Sequence, residues 1–372
     1  MKRFCLSVLT GGLLVLVLSA GRTARLVVHE WGTITTRHAP GGAPIGRLNR
    51  IDASDVLPAF VHRYEPPATR QDSQRSLLKD PVVPGRPDVT MRLETPVLYF
   101  YPPAGSRSVP PFDVGVRFRG GVVNEFYPRA DASVEVDVER VNAKMRAGLL
   151  SAWDGEVLNN YVVGGLQWRG LSLRDSVSVP ATTSPVWLAP RRVHASSVLT
   201  TQGEGERYLF YRGVAHLDAL LQTRLVANEV RLYEPSRLPW LRAPAMTLRK
   251  VWLVDVRPDG RVAYRERGNV VLTKQASREV ARLSLFDEAD HTVARAAALR
   301  RSMKQALMAA GLFEEEAEAM LETWKESYYR SPGLRLFYVV PTEWTSYFLP
   351  LHISIPHDLT RVLVGRIDLV TS

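Results

Sequence analysis

The chain has 372 residues, 45% of them hydrophobic and 23% charged, with 25 Gly, 25 Pro and a single Cys. That balance excludes a disordered, fibrous or multi-span membrane protein, and the length holds one large domain or two moderate ones around a proper core. Lys and Arg number 48 against 38 Asp and Glu, a formal charge of +10, and only seven of the bases are Lys.

Met1-Lys2-Arg3, the uncharged run Phe4–Leu18 and the small residues Ser19-Ala20-Gly21 have the layout of a secretory signal over residues 1–21. The apolar run is about fifteen residues, short of the roughly twenty that cross a bilayer comfortably. Leu18 suits the −3 position of a cut after Ala20 poorly, whereas a cut after Gly21 places Ser19 there. The expectation is export to the periplasm or cell surface of a bacterium. The alternative is an inner-membrane anchor formed by residues 4–20, which is also the chain's one expected membrane contact. Cys5 lies inside this segment, so a processed chain has no cysteine, no disulfide and no thiolate nucleophile.

Arg25–Thr36 reads as a first strand, rich in β-branched residues around His29-Glu30-Trp31. Residues 37–92 lack a strong period and hold Pro66-Pro67 and further prolines, so they read as a long arm, with only Val56–Tyr64 suited to packing. Thr95–Tyr101 is a strand. Asp113–Tyr127 reads as a hairpin about Gly120-Gly121, and Ser133–Arg140 alternates Val134, Val136 and Val138 with Glu135, Asp137 and Glu139. Short strands are expected at 160–168, 184–189, 207–213 and 223–233. Pro258-Asp259-Gly260 turns a hairpin over Leu248–Arg267.

Near residue 275 the pattern changes to helical spacing. His291–Ala310 repeats Val293, Ala296, Leu299, Met303 and Leu307 before Gly311, and Phe313–Arg330 repeats Phe313, Ala317, Met320, Leu321 and Trp324. Glu314, Glu315 and Glu316 crowd the second helix's first turn, where the dipole favours anions, and Arg300, Arg301 and Lys304 are placed to pair with them. Strands at Leu334–Val340, His352–Ile355 and Arg361–Val370 follow and are expected to rejoin the main sheet. The fold class is α+β, mainly β: an antiparallel β-sandwich-like body over 25–274, then a helical hairpin and additional strands over 275–372, packed as one unit.

Chemistry-bearing residues fall into two sets. In His29-Glu30-Trp31 a strand sends His29 and Trp31 one way and Glu30 the other, so the acid–base pair does not automatically converge. The functional reading makes His29 an acid or base and Trp31 a stacking platform. The structural reading makes Trp31 a core anchor, and the sequence alone favours it. Glu94, Glu125 and Tyr211-Arg212 border aromatic strands; two carboxylates across a cleft suit glycoside hydrolysis, whereas a Glu125–Arg212 bridge is purely structural. His352 and His357 lack metal-binding spacing, and Glu135, Asp137 and Glu139 read as a solvated strand face, so neither a metal nor a cofactor is expected. Ser76-Leu77-Leu78-Lys79 matches S-x-x-K without its partner motifs. No P-loop, G-x-S-x-G, zinc-finger or RNP pattern occurs, and nucleic acid is not an expected partner.

The stretches His29–Thr33, Glu94–Tyr101, Asn124–Pro128, Leu209–Val214, Thr323–Ser327, Gly333–Pro341, Leu349–Leu351 and Arg361–Arg366 resemble a family of exported bacterial proteins that begin with an HEWGT-type strand. Ile34 and Phe126 depart from that pattern, and the arm at 37–92 is longer. The resemblance implies one architectural unit and supplies no activity, cofactor or catalytic residue. The leading expectation is a non-catalytic binding or scaffold module that takes an anionic envelope polymer or glycan through Trp31, Tyr211 and Arg212. Its alternative is a metal-independent glycan hydrolase using His29, Glu30, Glu94 or Glu125.

Overall fold

A computed structural model describes residues 25–48, 57–64, 89–103, 105, 109–136, 139, 143, 146, 162–236 and 238–371. Residues 1–21, where a secretory signal or anchor is expected, Ser76–Lys79 and most of the 37–92 arm lie outside the described residues. So do the side chains of Asp137 and Val138.

The chain is mainly β. Its first strands are β1 (Leu26–His38), β2 (His62–Arg63), β3 (Met91–Tyr101), β4 (Phe112–Arg119), β5 (Gly121–Tyr127), β6 (Asp131–Val136) and β7 (Val162–Arg174). Next come the short β8 (Ser197–Leu199) and β9 (Gly205–Glu206), then β10 (Leu209–Ala215), β11 (Gln222–Val226) and β12 (Glu229–Tyr233). The expected hairpin is β13 (Met246–Val256) and β14 (Val262–Leu272), turned at Gly260 with φ +81, and β15 (Glu279–Ser284) follows. The C-terminal strands are β16 (Gly333–Val339), β17 (Leu351–Ile353) and β18 (His357–Leu369).

One large mixed sheet runs in the order β14-β13-β16-β18-β1-β3-β10-β5-β7-β4-β17, and β11-β12-β15 form a small second sheet. β18 lies between β16 and β1, so the last strand of the chain is central and joins the two halves of the sequence. Its pairing with β1 is parallel, with Glu30 opposite Arg361, a departure from the antiparallel expectation. Inward residues of β1 and β3 (Val28, Leu98, Phe100) share one apolar core with those of β4 and β7 (Phe112, Val114, Trp168) and with the small sheet (Val230, Leu232). This gives the body its sandwich-like packing; each fully buried Phe or Leu adds about 1.5–3 kcal/mol.

Helices cover the opposite face. They are α1 (Pro185–Leu188), α2 (Val293–Ala309), α3 (Glu314–Thr323) and α4 (Lys325–Tyr329), whereas α5 (Thr342–Phe348) packs into the first core through Trp344 and Phe348. Leu299, Met303, Leu307, Met320 and Tyr328 meet Trp31, Val97, Tyr99 and Phe337 in a second core. The helical hairpin forms with its charges paired: Lys304 Nζ is 2.9 Å from Glu314 Oε1, and Arg300 bonds Glu318.

Two local expectations are corrected. β4 and β5 do not make a hairpin; β7 lies between them in the sheet. Gly164 of β7 crosses so close to β5 that a Cβ there would sit 2.8 Å from Val123 N and 2.9 Å from Gly121 O. Where a strand is expected at 184–189, Pro185–Leu188 are helical, because Pro185 occupies the first helical turn, where its fixed φ suits a helix and its missing N–H costs nothing.

Candidate functional site

The strand β1 splits its motif between two layers. His29 faces the helices, with Nδ1 2.7 Å from Glu316 Oε2. Glu316 is fully buried and also accepts hydrogen bonds from the Tyr101 hydroxyl at 2.7 Å and from the Phe313 N–H at 2.7 Å. Burial and the neighbouring Glu316 carboxylate push the Tyr101 hydroxyl far above its ordinary pKa. Glu30 faces the sandwich core, where the Tyr211 hydroxyl donates to it at 2.5 Å and the Arg361 Nε–H donates to its other oxygen. Arg361 also donates to the Leu349 carbonyl oxygen at 2.5 Å. His29, Glu30, Trp31 and Tyr211 are all within 4% of complete burial. Trp31 packs against Tyr99 with ring centroids 6.3 Å apart, so its faces are occupied by protein.

Glu94, Arg212 and Glu125 belong to a polar band across the helix-side face of the sheet. Arg92 Nε is 3.2 Å from Glu94 Oε1, Arg212 is 3.8 Å from Glu125 Oε2, and Arg63 Nε is 3.5 Å from Glu125 Oε1. On the other flank Arg366 donates to the two Asp368 carboxylate oxygens from Nε and Nη2, at 2.8 and 2.9 Å. Burial lowers the Arg366 pKa, yet Asp368 and Glu94 outweigh it and hold the guanidinium above its ordinary value. The strand register shifts beside this band on β1, β3, β10 and β5, and Thr95, a β-branched residue, has φ +47. Bulges re-aim side chains, and a residue such as Thr at positive φ is a true backbone outlier. The sequence-derived carboxylates therefore sit in two places: Glu94 and Glu125 in the band, Glu30 beneath the sheet, each opposite an arginine.

Arg63 links the band to an open cleft of about 640 Å³ lined by the segment from Leu57 to Tyr64 other than Phe60, by Phe126, and by Arg129, Ala130 and Ala132. Three basic side chains line it, His62, Arg63 and Arg129, with Tyr64 and Phe126 in the wall and no carboxylate among the described lining residues. The segment is held in place by aromatic packing of Phe60 on Tyr127 and Trp187, at 4.9 and 5.1 Å, and by β2 pairing with β5. Behind the cleft, Glu204 lies 2.9 Å from His62 Nε2 with both oxygens and accepts the Arg129 N–H at 2.6 Å. Burial, together with Glu204 and Glu206, pushes the Tyr127 hydroxyl up to about 12. Arg129 is exposed and its guanidinium makes no ion pair among the described residues. Glu125 bonds Arg212 on one side and Arg63 on the other, and so positions Arg63 at the cleft mouth.

His62, Arg63 and Arg129 are absent from the residues that sequence reasoning singled out. The available signal was the packing character of Val56–Tyr64 within an otherwise aperiodic arm. A two-residue strand such as β2 leaves no period to read.

Among the described residues no group of three or more His, Cys, Asp or Glu side chains is placed to hold a metal ion, and no helix is long and apolar enough to cross a membrane. No model of a known protein family matches the chain, and no curated protein matches it.

Proposed function

We propose that the protein is an exported, non-catalytic binding module of the bacterial envelope that holds an anionic ligand in the cleft between residues 57–64 and Arg129–Ala132. The observation that carries this reading is the lining itself: His62, Arg63 and Arg129 line an open space of about 640 Å³, and while Glu204 and Glu125 stand behind His62 and Arg63 as partners, the exposed Arg129 guanidinium makes no ion pair among the described residues. A cation left without a partner at a concave surface raises the local concentration of opposite charge. The guanidinium fork of arginine fits carboxylate and phosphate groups, and the wall behind it is fixed because Tyr64 and Phe126 are each only 4% exposed and packed into the body. The buried carboxylates support the same reading, since a general acid and base need to reach a common substrate from one cleft. Glu30 and Glu316 are instead spent on binding Arg361 and His29 across the two cores.

The test is equilibrium binding of a fluorescent oligogalacturonate and of a neutral oligosaccharide of equal length. The acidic chain is expected to bind and the neutral one not. Arg63→Ala and Arg129→Ala are each expected to weaken binding about tenfold, or about 1.4 kcal/mol, without release of new reducing ends. Equal affinity for the two sugars, or full affinity in both variants, refutes the reading.

A further inference from the structure

A second depression lies on the other side of β6. It is about 360 Å³ and its lining includes Gly115, Arg117, Ser133, Gly165, Gln167 and Arg169. The cleft and this trough meet at one residue, Ala132, which lines both. β6 pairs with β7 alone among the described residues, so its outer edge is the saddle between them.

The trough has a different chemical character from the cleft. Its cations are balanced: Arg117 is 2.7 Å from Glu135, and Arg169 bonds Asp131. The remaining groups are an amide, a hydroxyl and the imidazole of His352. In the strand register Arg117, Gly165 and Ser133 form one cross-strand row and Gly115, Gln167 and Asp131 the next. A Cβ on Gly165 would meet only the Ser133 side chain within 3 Å, and one on Gly115 only the Gln167 side chain. Gly164, by contrast, faces the backbone of β5. No backbone contact therefore requires glycine at 115 or 165; the space over them is taken by the Gln167 amide and the Ser133 hydroxyl, which the missing side chains allow to lie low on the trough floor.

We infer that the cleft and the trough form one extended site for an acidic glycan, an acidic sugar unit lying against Arg63 and Arg129 and neutral, hydroxyl-rich units crossing β6 at Ala132 into the trough. This rests on the anionic-ligand reading of the cleft and adds the ligand's class and its path. The neutral trough disfavours a uniformly charged polymer such as polyphosphate. Apart from the His352 imidazole its described lining holds no aromatic ring, so it lacks the Trp, Tyr or Phe platform on which single-stranded nucleic acid stacks.

Fluorescence anisotropy with labelled hyaluronan tetrasaccharide and dodecasaccharide, chains of alternating acidic and neutral sugars, tests it. The dodecasaccharide is expected to bind about tenfold tighter than the number of binding registers accounts for, because the trough contact becomes intramolecular once the cleft is filled. Gly165→Thr fills the trough and must displace the Ser133 hydroxyl, which a Cβ there would meet at 2.5 Å, and Gln167→Ala removes the amide. Each is expected to reduce the dodecasaccharide to the affinity of the tetrasaccharide and to leave the tetrasaccharide unchanged, with the near-ultraviolet dichroism of the folded protein retained. Arg129→Ala is expected to weaken both lengths. Equal affinity of the two lengths, or full dodecasaccharide affinity in Gly165→Thr and Gln167→Ala, overturns the extended site while leaving the cleft standing. Tetrasaccharide binding that is indifferent to Arg129→Ala removes the cleft reading, and the extended site with it.

Discussion

Replacing Glu30 by Gln tests how the two halves of the chain are joined. Glu30 is fully buried and Arg361, its direct partner in the parallel register, is 7% exposed. Burial lowers the Arg361 pKa, but Glu30 and Tyr211 outweigh it and raise it above its ordinary value, so the guanidinium is charged in the core. Gln keeps the shape and can still accept from Tyr211, but it leaves that charge with only the Leu349 and Thr345 carbonyl oxygens. Removing one partner of a buried ion pair costs roughly 3–5 kcal/mol. With an unfolding entropy of about 2.1 cal/mol/K per residue over roughly 300 residues, that lowers the midpoint by about 5–8 °C. Differential scanning calorimetry of the two proteins in one buffer measures the shift. A loss below about 1 kcal/mol, the range of an exposed pair, refutes the claim that Glu30 and Arg361 clamp β1 to β18.

Two further outcomes follow from single residues. Burial lowers the His38 pKa to about 4 from an ordinary 6.5, while its Nδ1 lies 2.8 Å from Thr223 Oγ1. The unfolded chain then takes up a proton that the folded one refuses, so stability is full above pH 6.5 and falls by about 3 kcal/mol as pH drops towards 4. Urea titrations at pH 7 and pH 4 are expected to show this loss shrinking in His38→Gln, and an equal loss in both proteins rules it out. Gly164→Ala places its Cβ against β5 backbone and is expected to cost about 1–3 kcal/mol, whereas Gly165→Ala meets only a movable hydroxyl and is expected to cost less. Equal midpoints for the two alanine variants contradict the crossing of β7 over β5.

Much of the fold was legible from periodicity and turn chemistry. The β1 strand, the Pro258-Asp259-Gly260 hairpin and the two charge-paired helices each carry a local signal and each forms, although the second helix, expected over Phe313–Arg330, breaks at Trp324 into α3 and α4. Alternation shows which face of a strand is buried, not which neighbour pairs with it. That is why β4 and β5 read as a hairpin although β7 separates them, and why the parallel insertion of β18 beside β1 left no mark in either segment. Glu316 was legible as a helix N-terminal acid; its contact with His29, 287 positions away, was not. Glu125 and Arg212 were legible as a pair because they border aromatic strands, and they stand 3.8 Å apart. The basic cleft was hidden for a different reason. Its groups come from a two-residue strand, an exposed Arg129 and a distant Glu204, and none of these has a repeat to betray it.

The most direct measurement is a crystal structure of the protein with a bound acidic oligosaccharide. The account predicts a sugar carboxylate about 3 Å from the guanidinium of Arg63 or Arg129, with the chain leaving over Ala132. An oligosaccharide seated away from residues 57–64 and Arg129–Ala132, or one cleaved beside Glu94 or Glu125, contradicts it.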